Sequence, residues 1–173
     1  MDKSILNFFT HLPNKIPVGD QVVVFFATYF GWVLLAGLIA YIWFAYNRTR
    51  AFWQVLVVLF SALLAWFCAS LVKYNFHADR PFQDLSNIRL LIDVGRGESF
   101  PSGHTSFFAG LGTALYFYDH KWGTIYLVSA LVIGAARVSA GAHWPSDILT
   151  GFIFGFVAAW LVHRLVIYLK GTL

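Results

Sequence analysis

Apolar residues fall in five blocks along the chain, divided by short polar intervals. Val22 to Tyr46 is 25 residues without a formal charge, and Ala51 to Val72 is another 22. Each exceeds the roughly 20 residues needed to cross a hydrocarbon core. Only Asn47 to Arg50 separates them, so the hairpin is expected to be tight. Ser102 to Tyr118 and Trp122 to Ala136, at 17 and 15 residues, are short for complete spans. Their ends are expected to extend into the flanking charged segments. The fifth block runs from about Pro145 to Leu169, with His163 and Arg164 near its far end, where long side chains snorkel to headgroups. Ahead of all five, Ile5, Phe8, Phe9 and Leu12 recur at helical spacing until Pro13 and Pro17 interrupt. Asp2, Lys3, Ser4 and Asn7 lie off that face, a pattern that predicts a helix lying on the membrane surface. The expected fold is all-α. It is a polytopic membrane helix bundle of about five transmembrane helices plus an N-terminal interfacial helix, forming a single domain over residues 1–173.

Composition agrees with a bilayer environment: 59% of residues are hydrophobic and 12% charged, where soluble domains have about a quarter charged. The net charge of +4 is scattered through loops. It forms no basic stripe, so no nucleic-acid partner is expected. The single cysteine, Cys68, lies in an apolar run; it permits no intramolecular disulfide and reads as a small buried hydrophobe. Gly151 and Gly155 form a GxxxG on the last block, a helix-packing signal.

The longest polar interval, residues 73 to 101, holds Lys73, Arg80, Arg89, Arg96, Asp79, Asp84, Asp93 and Glu98. Five spans put this interval and residues 137 to 144 on one side of the membrane. The other side carries Arg48, Arg50, Lys121, Arg164 and Lys170. The first side keeps Lys3, Lys15, Arg89 and Arg96 once Lys73, Arg80 and Arg137 are set aside as candidate ligands. The bias favours a polar site facing outward.

Three clusters at block edges carry the candidate chemistry. Lys73 and Arg80 are seven residues apart, two helical turns, which places both cations on one face if the second span continues through them. Pro81 then disfavours helix at Arg80 and ends it. Pro101 suits the first turn of the third helix, where the amides of Ser102, Gly103 and His104 would surround the positive end of the dipole as an anion cradle. Gly103 lets an anion approach the backbone closely, and His104 can donate a proton to a leaving oxygen. Trp144-Pro145 marks a helix start, with His143 in the preceding loop and Asp147 in the first turn. Asp147 can fold back on His143 Nδ1 and expose Nε2 as a nucleophile. Arg137 offers a planar fork for two phosphate oxygens. His11, His77, His120 and His163 are expected in interfacial or packing roles.

Together the clusters resemble the type 2 phosphatidic acid phosphatase superfamily, whose pattern is KxxxxxxRP, then PSGH, then SRxxxxxHxxxD. Lys73 to Pro81, Pro101 to His104, and Arg137, His143 and Asp147 match it at the required spacings. One position departs, because Ala136 stands where the family usually has serine. The resemblance implies a membrane lipid phosphatase. It assigns His143 as the nucleophile forming a phosphohistidine, His104 as general acid and later base, and Asp147 as the group orienting His143. Lys73, Arg80, Ser102, Gly103 and Arg137 would bind phosphate, with no metal and no cofactor. The short opening helix, the long first span and the outward site are similar to bacterial undecaprenyl-diphosphate phosphatases, which implies a multi-pass protein of the bacterial inner membrane acting on a lipid phosphate. Gly103, where some such enzymes carry aspartate, leaves phosphatidylglycerophosphate or phosphatidic acid phosphatase activity as the alternative. An anionic-lipid transporter is the alternative from another class; its site would lie near the midplane between repeated halves, and no repeat is visible.

Overall fold

The computed structural model describes residues 2–11, 18–94 and 97–171. Among these no strand occurs, and the helices follow in the order α1 (Asp2–His11), α2 (Gly19–Val24), a π-turn (Phe25–Tyr29), α3 (Phe30–Phe44), α4 (Arg48–Asn75), α5 (Pro81–Asp84), α6 (Gly103–Tyr116), α7 (His120–Ser139) and α8 (Pro145–Gly171). Helix starts are written locally. Asn47 Oδ1 accepts from the Arg50 amide at 2.9 Å, Asp119 Oδ1 accepts from the Trp122 amide at 3.0 Å, and Pro145 opens α8.

Among the described residues four helices are long and apolar enough to cross a membrane: Gly19–Phe44, Arg48–Asn75, His120–Ser139 and Pro145–Lys170. The expected third span is shorter. As α6 it has 14 residues, about 21 Å at the α-helical rise, against a hydrocarbon core of about 30 Å. It lies at the centre, packed by α4, α7 and α8. Lipid contact is therefore left to the outer helices, which expose Trp32, Ile39, Phe60, Leu131, Ile153 and Leu165. The core around α6 joins Leu34 and Leu38 of α3, Val58 and Ala62 of α4, Leu111 and Leu115, Ala130 and Ile133 of α7, and Ala159 of α8. Small residues let the backbones approach: a Cβ on Gly155 would lie 2.5 Å from the Gly110 nitrogen.

One local expectation is corrected. The second helix does not continue through Arg80; it ends at Asn75, and Phe76 is extended at φ −113°, ψ 109°. The opening helix keeps Ile5 and Phe8 facing outward, Phe8 63% exposed, as a helix with an apolar face toward lipid does, and buries Leu6. Leu6 packs with Ile88, Val138 and Ile148, and Phe9 borders that cluster, so α1 docks at the end of the bundle where α7 stops and α8 starts. Leu12, Pro13, Lys15, Pro17 and Arg96 lie outside the described residues.

Candidate active site

A Schellman turn ends α7 and aims the third motif. Gly141 takes φ +71°; its amide donates to the Val138 carbonyl at 2.9 Å, and the Ala142 amide donates to the Arg137 carbonyl at 3.1 Å. The chain then reverses through His143 into α8. Asp147, in the first turn of α8, accepts the Trp144 amide at 2.9 Å on Oδ2, as the carboxylate of a capping box does. The same oxygen faces His143 Nδ1 at 3.2 Å. Nε2 is thereby turned toward Arg80, whose Nη1 is 3.5 Å away. His143 and Asp147 are each 2% exposed. Burial lowers the His143 pKa, opposed by its bond to Asp147, to about 4. The imidazole is thus neutral near pH 7, as a nucleophile must be. Burial likewise lowers the pKa of Arg80.

The cations are held by main-chain carbonyls. Lys73 Nζ donates to the carbonyls of Glu98 and Ser99 at 2.8 and 3.1 Å. Arg80 donates through Nε to the Gly97 carbonyl at 2.9 Å and through Nη1 to the Ala142 carbonyl at 2.8 Å. Three consecutive carbonyls, 97 to 99, therefore gather two cations that lie on different elements. Pro81 sets Arg80 extended at φ −77°, ψ 154°, outside the helix that follows. Arg137 donates through Nη1 to the Ala27 carbonyl in the π-turn at 3.2 Å. Its buried Nε has no hydrogen-bond partner among the described residues. An arginine held in this way keeps its Nε donor free to bind an anion.

The second motif supplies a helix start. Ser102 caps α6, its Oγ accepting from the Thr105 amide at 3.4 Å and from Thr105 Oγ1 at 3.0 Å. Pro101 therefore lies outside the helix, and the Ser102 amide donates to the Asp147 carbonyl at 3.2 Å. The first-turn amides are those of Gly103 and His104, which have no partner within the helix. His104 is exposed, within the electrostatic reach of Arg137, His143, Lys73 and Arg80. Two apolar recesses meet at it. One, of about 320 Å³, is lined by Leu63, Trp66, Gly103, Phe107 and Phe108; the other, of about 130 Å³, is lined by Phe26, Gly31, Trp32 and Leu35.

The profile of the PAP2 superfamily matches residues 54–170, more than half of the chain. The chain belongs to this superfamily. It is 30% identical over 158 residues to the bacitracin transport permease protein BcrC of Bacillus licheniformis, covering 90% of this chain and 75% of that protein. Against an undecaprenyl-diphosphatase of Sulfolobus acidocaldarius it is 27% identical, covering 82% and 68%. The solved structure of Aquifex aeolicus LpxE superposes with a TM-score of 0.77 at 25% identity, covering 94% of each chain. The resemblance read from the motifs is thus confirmed at the level of the superfamily, and the chain is a membrane protein of a phosphatase family.

All three PAP2 motifs stand at one end of the bundle, opposite Arg48, Arg50, Lys121, Arg164 and Lys170. Ala136 packs with Ala27, Ile92, Ala140 and Ala142 in an apolar cluster, so no hydroxyl is called for there. His77 is at the surface beside Glu98 Oε1 at 3.2 Å, and His163 stacks on Phe117 with ring centroids 4.1 Å apart. Motif reading missed Ser99, Thr105 and Ala27. The first two adjoin the PSGH segment as buried hydroxyls, a usable signal. Ala27 contributes only a carbonyl, which no residue pattern announces.

Proposed function

We propose that this protein hydrolyses undecaprenyl diphosphate through a phosphohistidine on His143. The observation that carries the reading is the orientation of that imidazole, with Nδ1 on Asp147 and Nε2 turned toward the Arg80 guanidinium. Nε2 attacks the terminal phosphorus, and the bridging P–O bond breaks. His104 gives its proton to the departing undecaprenyl phosphate. It then takes a proton from water, whose oxygen attacks the phosphorus and releases inorganic phosphate, restoring His143. Lys73, Arg80, Arg137 and the Gly103 and His104 amides at the start of α6, behind the Ser102 cap, hold the phosphate oxygens and stabilise the charge that develops on them.

The lipid substrate is supported by the apolar recess of about 320 Å³ opening beside Gly103 and His104, suited to the first isoprene units behind a phosphate head. The name of the Sulfolobus relative agrees with it. Among the described residues no group of three His, Cys, Asp or Glu side chains gathers as metal ligands, and Lys73, Arg80 and Arg137 supply the positive charge without one. The cation bias supports an outward-facing site, and the bacterial relative BcrC supports the bacterial inner membrane. A transporter is disfavoured by the position of the motifs at helix ends instead of the midplane.

The test is phosphate release by the purified chain in detergent with EDTA present, comparing undecaprenyl diphosphate, phosphatidylglycerophosphate and phosphatidic acid. Hydrolysis of the first, abolished in His143→Ala with folding intact, is expected. A preference for either phospholipid reassigns the substrate, loss of activity with the metal removes the metal-free mechanism, and a fully active His143→Ala removes the nucleophile.

A further inference from the structure

We propose that Ser99 is a positioning residue for the His143 nucleophile, acting through the carboxylate of Asp147. The inference rests on the histidine mechanism above. Ser99 is fully buried in the loop ahead of α6, and its backbone is held on both sides. Its amide donates to the Ala78 carbonyl at 2.8 Å, and its carbonyl accepts from Lys73 Nζ at 3.1 Å. The hydroxyl is thereby aimed inward. It donates to Asp147 Oδ2, the oxygen that also faces His143 Nδ1 and the Trp144 amide. Because an ionised carboxylate only accepts, the direction of the bond is determined. Ser99 Oγ is itself 3.5 Å from His143 Nδ1, so hydroxyl, carboxylate and imidazole form one compact cluster.

Two consequences follow for the nucleophile. The hydroxyl pins the carboxylate in the rotamer that holds Nδ1, and so sets the direction of Nε2. It also draws charge from Oδ2, weakening the pull of Asp147 on an imidazolium. The other groups acting on His143 are Arg137 of α7, Arg80 before α5, and His104 of α6, with Lys73 of α4 close to Asp147. None of them is the direct partner of the Ser99 hydroxyl. Its removal therefore strengthens the Asp147–His143 interaction and lets His143 hold a proton at higher pH. A site that binds phosphate normally but presents a misdirected, more basic imidazole is the expected result.

The test uses the full chain in detergent with undecaprenyl diphosphate as substrate, comparing parent, Ser99→Ala and Ser99→Cys, the last keeping the volume with a much weaker donor. Expected are a kcat lower by about 10- to 100-fold and an acid limb of phosphoenzyme formation displaced to higher pH. KM and inhibition by inorganic phosphate should stay within about 3-fold. Should either variant fold with its acid limb unmoved, Ser99 is only structural and the proposal is overturned, whatever the kcat. His143→Ala is run in parallel. If that variant remains active the histidine mechanism itself has failed, whereas an inactive His143→Ala beside an unmoved acid limb in the serine variants condemns the role of Ser99 alone.

Discussion

Arg137 Nη1 donates to the carbonyl of Ala27 at 3.2 Å, tying the last turns of α7 to the π-turn of the first span. The regular helical ladder is interrupted at Phe25–Tyr29, and such interruptions leave carbonyls for partners outside the helix. The first span thereby fixes the direction of a guanidinium in a site otherwise built from residues 73 to 147.

Arg137→Lys keeps the charge and loses the Nε edge. Phosphate release should show kcat/KM lower by about 10²- to 10³-fold, the usual loss of one preorganised donor at a developing charge. A variant within about 3-fold of the parent would show that the unpartnered Nε is not used on substrate.

His143 couples stability to pH. Burial, its largest cause, lowers the folded-state pKa from 6.5 to about 4. The unfolded chain takes up a proton as pH falls below 6.5 while the folded chain does not until near 4, so stability is full above 6.5 and declines through that window. Thermal melts in detergent should decline less steeply between these values for His143→Gln than for the parent. Parallel curves would mean that His143 is protonated in the folded protein.

The GxxxG of α8 divides into two tasks. A Cβ on Gly155 would meet the Gly110 nitrogen at 2.5 Å and Ala109 Cβ at 2.7 Å, whereas one on Gly151 would meet the Ser102 carbonyl and Thr105 Cβ at 2.9 Å. Gly155→Ala forces the α6 and α8 backbones apart and should lower stability by about 1–3 kcal/mol. Gly151→Ala pushes on the Ser102–Thr105 start of α6, and a shift of about 1 Å there should lower kcat/KM by about 10²-fold. Melting temperature and phosphate release, measured together, check the pair; an equal balance of the two losses in both variants would remove the distinction.

Helix positions were legible because each rests on a local signal. Apolar runs mark the spans and Trp144-Pro145 marks the start of α8; the caps at Asn47, Ser102 and Asp119 and the turn at Gly141 are equally local but were missed, and Pro101, expected in the first turn of α6, lies before it. The pair His143 and Asp147 was legible for the same reason, since four residues across one turn bring them together. One reading failed, and two features went unread, where distant contacts override the local pattern. Lys73 and Arg80 are brought together by the carbonyls of residues 97 to 99 instead of by a shared helix face. α6 is short because neighbouring helices, not lipid, surround it. Leu6 turns inward because the junction of α7 and α8 offers it a pocket.

The sequence alone determined what kind of chemistry is possible: apolar runs confine the chain to a bilayer, and spaced cations and imidazoles at their edges suit a phosphate. Only the tertiary structure decided which atoms remain for it. Main-chain carbonyls at Ala27, Gly97, Glu98, Ser99 and Ala142 take up donors on Arg137, Arg80 and Lys73. Such groups are present at every residue, so no sequence pattern distinguishes those that the fold brings within reach of a buried charge.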